Sequence, residues 1–288
     1  MFDLLWTIAV ALRNLRCYAK GVQQELSYVT EDILNQRFSS GTGIKSINFK
    51  SSILNTTWEA QQEEIAWIML IWLISIYEGW TSSLSDELFK NMDCKKLHFP
   101  IHVQTEVRQY TSKPSSILKK CFFQPYSRHK KISIKKLDNM LYCYRVFKEM
   151  RNCYIHNAKI ANKKASNAYS VFSSKVQQAT DLHAKEIPSI NPIKENKIIR
   201  PNLRGVVGLS DILISMILTI DAELIQSYEA EVWFNKKVIE TANKEKIKIS
   251  STQSVAVKQV YRLLKLSGFH RKPLNITELL THLKSITK

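Results

Sequence analysis

The chain predicts an all-α fold on three observations. Glycine and proline number only 7 each in 288 residues, too few turn formers for a fold of many short strands. Apolar residues recur at three-and-four spacing over long stretches, the signature of helices that bury one face. No alternating apolar and polar ladder occurs, and no internal repeat. Hydrophobic residues make up 44% of the chain, enough to build a core, and the length suits one large domain or two modest ones.

The elements follow in order. A first helical stretch is expected over about 2–37, with a break near Gly21, and then a polar loop over 38–55 containing Gly41 and Gly43. Thr56 and Thr57 offer an N-cap, and Glu59, Glu63 and Glu64 favour the positive end of the helix that follows. That helix reaches about Leu84 and is almost wholly apolar through its middle, as a helix packed on several sides must be. Segment 85–132 reads as basic and irregular, with short helices at most, because Pro100, Pro114 and Pro125 interrupt it. Ser133 can cap the next helix, whose Leu137, Met140, Leu141, Tyr144, Phe147, Met150 and Tyr154 keep helical spacing. A polar helical continuation is expected over 158–184. A connection follows over 186–208, containing Pro188, Pro192, Pro201, Gly205 and Gly208. Ser210–Asp211 starts a long amphipathic helix reaching about Ala242. Two shorter helices close the chain: 252–267, stopped by Gly268, and 276–286, where Asn275 and Glu278 form a capping-box arrangement.

The net charge of +17 implies an anionic partner, nucleic acid or a membrane surface. The charge is segregated. Residues 94–136 carry eleven Lys or Arg against the single acid Glu106, while 55–93 carry seven acids against Lys90 alone. A Lys-rich background composition is the plain alternative to a basic binding face. Five cysteines (Cys17, Cys94, Cys121, Cys143, Cys153) without CxxC spacing point to a reducing compartment, not to a disulfide framework or a zinc site. The longest apolar run, 65–77, is shorter than the roughly 18 residues a bilayer requires. The apolar N-terminus MFDLLWTIAVAL lacks the positive region of a signal peptide. The expectation is a soluble cytoplasmic protein without a membrane partner.

The segment RNCYIHN at 151–157 concentrates groups that can do chemistry. On a helix, residues four apart share a face and residues five apart diverge by about 140°. Asn152 and His156 therefore project together, and the long Arg151 side chain must bend towards them. Two copies of the helix meeting across a dimer axis would bring two Arg and two His to one cleft. Histidine, with an unperturbed pKa of about 6.5, moves protons near neutrality. A guanidinium offers paired donors to the non-bridging oxygens of a phosphate. Together they suffice for an RNA 2′-hydroxyl to attack its own 3′-phosphate. No metal or other cofactor is required, and no carboxylate cluster offers to hold a metal. An Arg and a His separated by four to six residues arise by chance roughly 0.8 times in such a chain, so the surroundings must carry the weight.

Those surroundings resemble the HEPN superfamily of small α-helical domains. Its ribonuclease members carry an Arg, a polar residue, three to five further residues and then a His in a late helix. The stretch LYCYRVFKEMRNCYIHN (141–157) resembles that motif helix. LISIYEGWTSSL (73–84) resembles the family's earlier helix, in which one acidic residue, here Glu78, interrupts an apolar face. The likeness covers about 55–160 and the helix at 210–242. It implies a HEPN-like helical bundle over 51–245, with the basic insertion at 85–132 and the linker at 186–208. A helical extension over 1–50 and a helical pair over 246–288 lie outside it. The resemblance further implies metal-independent endoribonuclease activity leaving a 2′,3′-cyclic phosphate, in a homodimer whose two motifs share a cleft. Such proteins commonly serve as toxins or in anti-phage defence, often acting on tRNA, and an antitoxin or defence-system partner protein belongs to that picture. Arg151 and His156 would then be catalytic with Asn152; Glu78, as an orienter of Arg151, and Asn157 would support them. Lys159, Lys163 and Lys164, with Lys130 and Lys131 of the basic segment, would hold flanking RNA phosphates.

Plainer readings stand beside these. Glu78 inside an apolar helix must be paired or exposed, and a salt bridge without catalytic purpose meets that need equally. Trp67, Trp72 and Trp80 fit a core better than a base-stacking platform. The lysines fit a solvated face as well as an RNA path. The pairs Tyr110/Lys113 and Tyr126/Arg128 mix aromatic and positive groups as single-strand binders do, weakly. The same fold could also be a non-catalytic nucleic-acid-binding or partner-docking module. A helix-turn-helix in the terminal pair would need a shorter link than 267–275.

Overall fold

Helices account for 72% of the chain in the computed structural model, with no strand or sheet among the described residues, which are 2–26, 30–41, 50–128 and 132–287. The chain is all-α, as its composition demanded. The N-terminal region forms α1 (Phe2–Glu25) and α2 (Glu31–Ser39). Gly21 lies inside α1, where a helical glycine costs only about 1 kcal/mol. The break falls instead before Thr30, whose hydroxyl accepts from the Ile33 amide at 3.4 Å. Of the expected loop, 42–49 lie outside the described residues, and 50–55 form one wide π-type turn.

Helix α3 (Trp58–Ser83) is capped by Thr57, whose hydroxyl accepts from the Ala60 amide at 3.2 Å. A wide turn at Leu84–Leu88 continues it. The basic segment is more ordered than its prolines suggest: a tight turn at Cys94–His98 leads to the ten-residue α4 (His102–Thr111), then α5 (Ile117–Cys121) and α6 (Phe123–Ser127). Pro125 sits in the first turn of α6 instead of breaking the chain, at a position where no amide donor is needed.

A short turn at Ile134–Lys136 leads into α7 (Leu137–His156). Ser133 occupies the cap position of that turn without a side-chain hydrogen bond. Asp138 ties the start of α7 to α4 instead, accepting from the Ile101 amide at 2.9 Å and Gln104 Nε2 at 3.1 Å. The helical continuation expected after the motif does not form. Ala158 (φ 47°) and Lys159 (φ 68°) are left-handed, and the chain turns back so that α8 (Lys163–Lys175) packs along α7. For non-glycine residues this conformation costs roughly 1–2 kcal/mol each. A backbone strap holds it: the Ala161 amide donates to Lys197 O and the Ile199 amide to Lys159 O, both at 2.8 Å.

The long helix expected from 210 to 242 is two helices, α9 (Leu203–Leu224) and α10 (Tyr228–Lys244). Ser227 is buried between them and caps α10, accepting from the Ala230 amide at 3.2 Å. Helix α9 begins well before Ser210, with Asn202 as its cap. Gly205 and Gly208 thus lie within the helix and not in the connection. Ser189 O lies only 1.9 Å from where a Gly205 Cβ would stand, so it is the close approach of the 183–202 segment that calls for glycine there. Helices α11 (Gln253–Leu266) and α12 (Ile276–Ile286) close the chain much as expected. The Leu274 amide donates to Cys121 O at 2.7 Å, and Leu263 and Leu279 enter the same hydrophobic core as Trp67 and Tyr144.

The centre of the molecule is α3, α7 and α9 packed on one another. The helices over 58–88 and 203–224 are each long and apolar enough to cross a membrane, although the run 65–77 alone is not. Here 44% and 61% of their most apolar windows are buried inside the protein.

Candidate functional site

Helix α7 buries Leu137, Met140, Leu141, Tyr144, Phe147, Met150 and Cys153, and this fixes its rotation. Arg145, Lys148 and Arg151, three residues apart, then form a cationic row along one side. Helix α3 runs beside it, and Trp67 meets Tyr154 with ring centroids 4.7 Å apart. Glu78 falls opposite the cationic row. Its Oε2 accepts from Arg151 Nη2 at 2.5 Å, and its Oε1 from Lys148 Nζ at 2.9 Å. The two cations are only 15–16% exposed. Burial works to raise the Glu78 carboxyl, but the hydrogen bond and charge of Lys148, with Arg151 behind it, outweigh this and hold it below the ordinary carboxylate range. One carboxylate between two cations leaves the cluster net positive. The Arg151 Nε–H is buried with no acceptor among the described residues.

Sequence reasoning missed the residues that steady this cluster. Lys148 Nζ also contacts His98 Nδ1 at 3.0 Å, and His98 Nε2 lies 2.9 Å from Thr81 Oγ1. Thr81 itself donates to Glu78 O at 2.9 Å. The only proton arrangement that satisfies all three bonds is a neutral imidazole, protonated on Nε2, accepting from the ammonium on Nδ1 and donating to the threonine oxygen. Burial, with the Lys148 charge added, accordingly pushes the imidazole down to about 4. Tyr77 holds the turn bearing His98 by donating to Leu97 O at 2.8 Å. Lys148 could have been found from its place three residues before Arg151. His98 could not, because only the tertiary fold brings the 94–98 turn to α3.

A pH dependence follows. The unfolded state takes up His98's proton near pH 6.5 and the native state only near 4, so the stabilisation is full above 6.5 and is lost as the pH falls towards 4. At about 1.4 kcal/mol per unit, discounted for partial solvent access, the loss should be about 2 kcal/mol. Urea unfolding at stepped pH should show it as the difference between wild type and His98→Gln, since the buried Asp221, whose carboxyl burial pushes up to about 7, works in the opposite sense in both.

The other candidate residues divide. Asn152 turns away from Arg151, donating to Glu149 Oε2 at 3.4 Å, and Glu149 in turn pairs with Arg145. Asn157 serves the reversal after the helix, donating to Ile160 O at 2.6 Å. His156 is exposed at the C-terminal end of α7 and makes no side-chain hydrogen bond among the described residues. Lys159 is occupied, with Glu64 at 2.6 Å and the Tyr154 ring at 5.4 Å. Lys163 and Lys164 are exposed at the start of α8, and Lys130 and Lys131 lie outside the described residues. Trp67 is fully buried, while Trp72 and Trp80 are half-buried. Arg151 and His156 line none of four surface clefts in the fold. His156 stands exposed while Arg151 is mostly shielded. Compared with known proteins, the chain matches no family model, no curated sequence and no solved structure.

Proposed function

We propose that the protein is a metal-independent endoribonuclease of the HEPN type, cytoplasmic and dimeric, acting as a toxin or anti-phage effector with tRNA the first substrate to test. One observation carries the reading: Arg151 is seated on Glu78 in a net-positive cluster, and an exposed histidine stands five residues on. In the composite cleft one His156 takes the 2′-hydroxyl proton, the other protonates the departing 5′-oxygen, and Arg151 steadies the charge that builds on phosphorus. Asn152 is a weaker participant than its spacing implied, since Glu149 engages it. The test is a gel of cellular RNA after induced expression. Discrete cleavage by wild type and intact RNA with His156→Ala support the reading; intact RNA in both, or equal cleavage in both, contradicts it.

Two exposed apolar side chains, one of them within the motif, support the dimer. Ile68 is 59% exposed and Ile155 49%, and each neighbours a member of the Trp67–Tyr154 contact. Burying such groups against a second copy would gain roughly 25 cal/mol per Å². Ile68→Glu should therefore convert a dimer to a monomer in analytical ultracentrifugation, with fold stability unchanged within about 0.5 kcal/mol because the side chain is on the surface. An Ile68→Glu protein as dimeric as wild type would remove this support.

One observation favours the alternative, a non-catalytic nucleic-acid-binding module: Arg151 and His156 line none of the four clefts found among the described residues. That reading expects salt-sensitive RNA binding indifferent to His156→Ala, and no cleavage.

A further inference from the structure

A second place in the fold has unmet hydrogen-bonding groups. Between the turn after α3, the end of α4 and the start of α10 lies a cleft of about 710 Å³, within the size range of small-molecule sites. Phe89, Tyr110, Tyr228 and Trp233 supply aromatic walls, and Lys90, Lys113 and Lys236 stand on its rim. Two of its lining residues each bury a polar atom without a hydrogen-bond partner among the described residues: the Tyr110 hydroxyl and Glu229 Oε2. Tyr110 as a whole is only 8% exposed. Leaving such groups unmet is costly, and here the two belong to residues of one cleft.

The wall is firmly built. The Tyr228 amide donates to Lys113 O at 2.8 Å and the Ser115 amide to Gln226 O at 2.7 Å, clamping the start of α10 to the segment after α4. Phe89 packs on Tyr110 with centroids 4.9 Å apart, and Trp233 packs on Phe269 at 5.7 Å. The lining groups are thus held in place before any ligand arrives.

We infer that this cleft binds a guanine nucleotide, the base lying among the aromatic side chains with its N1–H and N2–H donors on Glu229, O6 towards the Tyr110 hydroxyl and the phosphate on the rim lysines. The assignment follows from matching donors to acceptors. A carboxylate offers two acceptors side by side. Among RNA bases guanine alone presents two neighbouring N–H donors from separate nitrogens on its Watson–Crick edge, with an acceptor beside them for a phenol. Adenine and cytosine set a ring nitrogen acceptor against the second carboxylate oxygen, and uracil offers a single N–H between two carbonyls. Aromatic side chains stack bases, and lysines hold phosphates as point charges. The site does not depend on the nuclease reading, for none of its residues belongs to the Arg151 cluster.

Calorimetric titration of the full chain with GMP, AMP, CMP, UMP and IMP tests the inference. GMP should bind at least tenfold more tightly than AMP, CMP or UMP, and IMP, which lacks the 2-amino group, should fall between GMP and AMP. Glu229→Gln should erase the preference, Tyr110→Phe should weaken GMP several-fold, and Lys236→Ala should weaken GMP while leaving guanosine unchanged. Comparing GMP with a short guanosine-containing oligoribonucleotide shows whether the free nucleotide or a guanosine within RNA is the source. His156→Ala should bind as wild type does, which separates this inference from the fate of the nuclease. Equal affinity for all the nucleotides, no saturation at millimolar concentration, or a preference that survives Glu229→Gln overturns it. Should Glu229→Gln not fold, the GMP–IMP–AMP order on the wild type still decides.

Discussion

Replacing Glu78 with alanine is expected to destabilise the protein by about 2–3 kcal/mol and, under the proposed activity, to slow RNA cleavage by about 100-fold or more. Its carboxylate is the shared partner of Lys148 and Arg151, both mostly shielded from water. Without it, two cations three residues apart on α7 repel each other at low dielectric, and Arg151 loses the contact that aims it. The stability cost is set below the roughly 3–5 kcal/mol typical of a fully buried pair because Glu78 itself keeps 30% exposure. Glu78→Gln, which keeps the shape and one acceptor, should recover part of the stability and little of the rate. Chemical denaturation and single-turnover cleavage read the two effects separately. A Glu78→Ala protein as active as wild type would show that the ion pair is structural only.

Gly205→Ala is expected to cost at least about 3 kcal/mol, the range of severe steric substitutions. An alanine Cβ would stand 1.9 Å from Ser189 O, and that neighbour is backbone, which cannot rotate away as a side chain would. The neighbouring Gly208 is less demanding: its Cβ would meet Pro188 side-chain atoms at 3.2 Å, so Gly208→Ala should cost distinctly less. A thermal melt of the two variants beside wild type checks the order. A Gly205→Ala protein melting with wild type would mean that segment 183–202 does not lie where it is described.

What was legible in the residues was whatever local chemistry dictates. Thr57 and Asn275 cap the helices they were expected to cap, and Gly268 (φ 87°) ends α11. The errors lie where tertiary contacts override local signals. Ala158 and Lys159 reverse the chain with no glycine to announce it. Ser227 divides α9 from α10 because it is buried at the junction, which a run of helix formers does not reveal. Gly205 and Gly208 resembled turn glycines because sequence cannot show that another segment crosses the helix. At the site, the angular spacing correctly set Asn152 and Arg151 on different faces. The meeting of Glu78 with Arg151 was suggested by resemblance and not by spacing, and nothing local pointed to His98.

Lys148 and His98 add a feature to the site. A neutral imidazole between an ammonium and a threonine hydroxyl pins Lys148 against Glu78, so the row on α7 is held at both Lys148 and Arg151. A motif helix with such support can present a guanidinium at low conformational cost.

The central claim is that Arg151 and His156 cleave RNA without a metal, and incubation of purified protein with total tRNA in EDTA tests it most directly. The account expects cleavage that persists in chelator, leaves 2′,3′-cyclic phosphate ends, and falls at least about 100-fold in both Arg151→Ala and His156→Ala. Intact tRNA with the wild-type protein, or cleavage that the chelator stops or that either alanine variant retains in full, would contradict it.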